Sequence, residues 1–127
     1  IIVGTVVTGT GPHAGDQAAP RYNFDIRVVT WLHADLVIAL CGAILALYLL
    51  LKLAPISSSP ESRADHLKLV KTFIILVLIQ GGIGYLQYFT GVPIILVGLH
   101  LLGLCLVWLT ACKLLVRTSS KRDAKLA

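Results

Sequence analysis

The stretch "VVTWLHADLVIALCGAILALYLLLKL", residues 28–53, decides the fold. Only His33, Asp35 and Lys52 interrupt it with an imidazole, carboxylate or ammonium group. As a helix it reaches about 39 Å at ~1.5 Å per residue, more than the ~30 Å of bilayer hydrocarbon. Two further apolar runs follow, residues 69–89 and 93–116, each long enough to span by the same measure. Hydrophobic residues make up 57% of the 127 positions and charged ones 13%, with a mean hydropathy of +0.86. A soluble domain runs nearer about 45–50% apolar and about 25% charged. The composition implies an integral membrane protein, all-α, in which each span satisfies its own backbone.

Working outward, residues 1–8, "IIVGTVVT", are too few to span and have neither a basic leader nor a small-residue cleavage site. The chain contains no methionine. A complete translation product starts with one, so residues 1–8 read as the end of a truncated helix. With that helix restored, the expectation is a four-helix transmembrane bundle. The connections are a loop at 9–27, a polar linker at 54–68, a short turn at 90–92 and a basic tail at 117–127.

Net charge is +5, but the cations sit at span ends, which reads as topology and not as nucleic-acid binding. Lys52, Arg63, Lys68, Lys71, Lys113, Arg117, Lys121, Arg122 and Lys125 gather on one side, and only Arg21 and Arg27 on the other. Cells keep such charge inside, so the linker and tail are expected in the cytoplasm and the first loop outside. Cys41, Cys105 and Cys112 fall inside apolar runs without metal-ligand spacing and read as small packing residues.

Two of the four histidines lie within spans. His33 is roughly 7–8 Å below the outer end of its span and His100 roughly 10 Å below the same face. Both spans run in the same direction. An ionisable residue in hydrocarbon is costly and marks a candidate site. Two imidazoles facing across a bundle suit a haem iron with both axial positions filled. Two other readings stay open. Each histidine could bond a nearby carbonyl or threonine hydroxyl, or the pair could serve another metal or a proton relay. Gly81, Gly82 and Gly84 thin one span near this depth, and Gly98 and Gly103 flank His100. Small residues there admit either a neighbouring helix or the edge of a flat macrocycle. His66 falls in the linker and reads as solvated, and Asp35 points away from His33.

The first loop opens with "TGTGPHAGD", residues 8–16. A haem near the outer face directs its propionates there, and they need donors. Gly9, Gly11, Gly15, His13, Arg21 and Arg27 are the candidates, as backbone N–H groups and cations. The loop is expected to be a polar lid over a charged ligand edge, since a simple turn needs far fewer residues.

Taken in order, "VVTGTGPHAGD", Arg21, "LHADL", "GYLQYFTGVP" and "LHLLG" resemble the C-terminal half of haem A synthase. The likeness covers essentially the whole chain and is strongest to actinobacterial members. It implies one half of a pseudo-symmetric eight-helix protein of the bacterial plasma membrane. His33 and His100 would match the histidine pair that holds a b-type haem as cofactor. The companion four-helix half would bind the substrate haem O, whose ring methyl is oxidised to formyl, giving haem A for cytochrome oxidase. Implied partners are that companion half, the lipid bilayer, haem O synthase and cytochrome oxidase assembly. Two departures bear on catalysis: the first loop has no glutamate, and the only glutamate, Glu61, is in the linker. No catalytic residue is therefore assigned to this chain. The alternatives are a non-catalytic bis-histidine cytochrome that shuttles electrons and a structural or assembly subunit without haem.

Overall fold

Asp25 starts the most apolar of the long helices: its carboxylate accepts the backbone N–H groups of Arg27 at 2.8 Å and Val28 at 3.4 Å. That is N-capping, which supplies acceptors for amides that have no partner inside the helix. The computed structural model describes residues 1–12, 18–53 and 60–123, with side chains described through Arg117. Within them lie α1 (Ile2–Thr10), α2 (Ile26–Leu53), α3 (Pro60–Phe89) and α4 (Ile94–Asp123). No strand occurs among the described residues. Segments Ile26–Leu53, Glu61–Phe89 and Ile94–Arg117 are long and apolar enough to cross a membrane.

Two helices outrun their apolar segments. α3 begins at Pro60, so most of the stretch expected as linker is helical. Polarity marked it as linker, but "ESRADHLK" is built largely of good helix formers, with Glu61 in the favourable first turn. His66 accordingly sits on α3, half-buried, with Nδ1 2.7 Å from the Ser62 carbonyl oxygen. α4 likewise continues through the polar residues up to Asp123.

The α3–α4 turn is tight. The Val92 N–H donates to the Gln87 carbonyl at 2.8 Å, and Gly91 takes φ +76. This is the glycine C-cap in which a left-handed residue satisfies the last helical carbonyls. At the opposite end the Arg63 guanidinium donates to the Leu51 carbonyl at 2.7 Å and to that of Lys52. One α3 side chain thereby caps the C-terminus of α2 and staples the two helices together. Threonines along the helices, among them Thr8, Thr72 and Thr110, donate their hydroxyls to the carbonyl one turn back. Each polar group is thus satisfied without a partner from outside the helix.

α1 packs on α2, α2 on α3 and α3 on α4. Among the described residues no Cα of α2 or α1 lies within 8 Å of one in α4. The buried apolar core is Ile44, Val70, Phe73 and Val77, exposed by 4%, 0%, 7% and 4%. Val107, Ala111 and Leu114 of α4 pack against it. All of these belong to the half of the bundle nearer Arg63 and Lys113, here called the basic end. Long apolar side chains elsewhere are widely exposed, among them Ile38, Leu78 and Leu102. An apolar exterior of this kind suits hydrocarbon, where helices associate through close packing.

Candidate functional site

At the other end, here called the loop end, four residues from four helices share one depth. Gly4 lies six residues before the end of α1, His33 seven after the start of α2, Gly84 five before the end of α3, and His100 six after the start of α4. At ~1.5 Å per residue each is about 8–10 Å from its helix end. Neighbouring helices run antiparallel, so these offsets stack into a single layer.

Each histidine has a glycine beside it. A β-carbon on Gly4 would stand 3.2 Å from Cε1 of His33 and 3.6 Å from its Nδ1. One on Gly84 would stand 3.6 Å from Cε1 of His100. The two imidazoles stand at one depth. They project from α2 and α4, the helices whose backbones stay apart. The Nδ1 of His100 is buried without a hydrogen-bond partner. A buried polar nitrogen left unpaired costs about 1–3 kcal/mol, so a partner that fills this need is worth as much. A group of three or more His, Cys, Asp or Glu side chains able to hold a metal ion does not occur among the described residues. Haem asks the protein for only two axial ligands, because the porphyrin supplies the rest. The histidine pair and the separation of the α2 and α4 backbones fit that group.

Above the layer, the described part of the first loop folds back on α1. The Tyr22 N–H donates to the Gly9 carbonyl at 3.1 Å, and the Tyr22 ring occupies the space a side chain on Gly9 would fill. Arg21 donates from Nη2 to the Pro12 carbonyl at 3.4 Å, while its Nη1 is buried without a partner. A guanidinium with an unsatisfied buried N–H is a ready donor for a carboxylate.

The remaining expected residues fare differently. Arg27 is exposed, with its backbone N–H on the Asp25 carboxylate. The Gly11 N–H is already used, donating to the carbonyls of Val7 at 2.9 Å and Thr8 at 3.2 Å. Gly11 therefore caps α1 and has no amide to offer an anion. His13 and Gly15 lie outside the described residues. Of the α3 glycines only Gly84 meets a histidine, since Gly81 and Gly82 face open space. Gly98 faces open space too, and the space at Gly103 is filled by the side-chain amide of Gln80. Asp35 is exposed.

Sequence reasoning missed the roles of Gly4, Gln80 and Tyr22. Gly4 had a signal, because its distance from the helix end matches that of His33. The other two depend on which helix faces which, and spacing along one chain does not encode that. Compared with known protein families, curated proteins and solved structures, the chain matches none.

Proposed function

We propose that this four-helix unit holds a b-type haem between His33 and His100 and forms the cofactor half of a haem A synthase-like oxidoreductase. The observation that carries the reading is the pair of imidazoles set at one depth on α2 and α4, helices whose backbones stay apart. Held by His33 and His100, such a haem would supply one-electron exchange. The residues of this chain do the holding. His33 and His100 present neutral nitrogens that need no counter-charge in a low-dielectric interior. Gly4 and Gly84 keep the space beside each ring clear. Arg21 offers its unpaired Nη1 to a propionate carboxylate at the mouth. The methyl oxidation of haem O is assigned to the companion half of an eight-helix protein, and no residue here is given a catalytic role. The loop end is proposed to face outward from a bacterial plasma membrane, with the basic end in the cytoplasm.

A reduced-minus-oxidised spectrum of the haem-supplied protein tests the site. A low-spin b-type signal lost in His33→Ala and in His100→Ala supports it. Its absence, or survival in either variant, refutes it. Conversion of haem O to haem A by the full-length protein under reducing, aerobic conditions then separates the enzyme from a cytochrome that only carries electrons.

A further inference from the structure

We propose that the crevice between α3 and α4 at the basic end binds the phosphate headgroup of an anionic membrane lipid. Its walls are Asp65, Lys68, Leu69 and Thr72 of α3 with Lys113 and Arg117 of α4. Three cations against one carboxylate leave a net charge of +2. The carboxylate orients one of the cations: Asp65 Oδ2 lies 3.6 Å from Nη1 of Arg117, and both side chains are more than half exposed. That arrangement leaves the rest of the guanidinium fork free for a second anion. The Thr72 hydroxyl donates its hydrogen to the Lys68 carbonyl at 3.0 Å, which turns its oxygen toward its own helix and leaves phosphate binding to the cations.

Depth selects a lipid. Lys113 stands nineteen residues from the start of α4, and Lys68 twenty-one from the end of α3. At ~1.5 Å per residue these are about 28 Å and about 32 Å, which match the ~30 Å of hydrocarbon. When the other ends of these helices sit at one membrane boundary, both lysines reach the opposite headgroup layer. Leu69 gives the crevice an apolar wall, which suits a group that continues into acyl chains. Basic crevices between spanning helices are where such headgroups dock. Topological anchoring needs only cations near the boundary. Here cations from two helices converge on one concavity, while Lys52 and Lys71 lie outside it. The site lies at the end opposite the histidine layer and does not depend on haem.

Native mass spectrometry of the full chain in detergent tests this with phosphatidylglycerol and phosphatidylcholine of identical acyl chains. The expected preference for phosphatidylglycerol is about 25-fold, from roughly fivefold for each of the three cations less one such factor for Asp65. Lys68→Gln with Lys113→Gln should bring it near parity, while the charge-matched pair Lys52→Gln with Lys71→Gln leaves it unchanged. Asp65→Asn should raise it, a gain that damaged folding cannot imitate. Parity in the unaltered chain overturns the proposal, as does equal loss in the two lysine pairs. Displacement of the lipid by millimolar inorganic phosphate would assign the crevice to the free ion and overturn it equally.

Discussion

The side-chain amide of Gln80 lies against Gly103, in the volume that a β-carbon there would need. Gly103 is buried, and Oε1 of Gln80 is buried without a partner. Gly103→Ala gains about 1 kcal/mol of helix propensity but loses about 1–3 kcal/mol to overpacking. The expected result is net destabilisation of about 1 kcal/mol, reversed in the double variant with Gln80→Ala. Denaturant titration of the four proteins in detergent checks it. Independent, additive effects would show that the two residues do not share that space.

The two glycines of the histidine layer should respond differently to the same change. A methyl on Gly84 makes ordinary contact with His100 at 3.6 Å, whereas one on Gly4 presses on His33 at 3.2 Å. Gly4→Ala is expected to shift the haem spectrum or lower haem retention severalfold, and Gly84→Ala to leave both near the parent values. Equal tolerance at the two positions would separate Gly4 from the site.

Arg21 and Arg27 were equivalent on sequence grounds and are not equivalent in the fold. Arg21 buries an unpaired Nη1, while Arg27 is exposed. Replacing Arg21 with alanine should weaken haem retention or move the midpoint potential. An exposed charge contributes at most about 1 kcal/mol, so Arg27→Ala should do much less. A redox titration of both variants decides the matter. A larger effect from Arg27 would remove Arg21 from the proposed propionate site.

The α3–α4 turn carries backbone strain at a defined place. Val92 has φ +60, a conformation that a β-branched side chain strongly disfavours. Val92→Gly should stabilise the fold by about 1 kcal/mol, and Gly91→Ala, at φ +76, should destabilise it by a similar amount. Thermal unfolding in detergent reads both. A stabilising Gly91→Ala would contradict the turn geometry.

Much of this architecture is legible in the chain itself. Three apolar runs give three long helices, and counting from their ends places His33 and His100 at one depth, because helical rise is constant. The start of α3 was hidden because polarity and helix propensity disagree over 61–68, and polarity was the louder signal. The glycines show why the site was only half readable. Gly81, Gly82, Gly84, Gly98 and Gly103 look alike in the sequence, yet one touches a histidine, one holds a glutamine amide and three face open space. That sorting depends on the rotation of α3 and α4 about their axes, which is settled between helices. Arg63 looked like one more positive end-charge, and its work on the carbonyls of Leu51 and Lys52 requires the chain to have already turned back on itself.

The uneven packing along the bundle axis bears on how a flat guest could get in. Phe73 and its neighbours, with the Arg63 staple, hold the helices like the spring of a clothes-peg. The jaws are the histidine-bearing stretches of α2 and α4, which have no backbone contact to break. Were the proposed haem to load between them, the jaws would spread while the spring stays shut, and the fold would not have to be undone for the guest to enter.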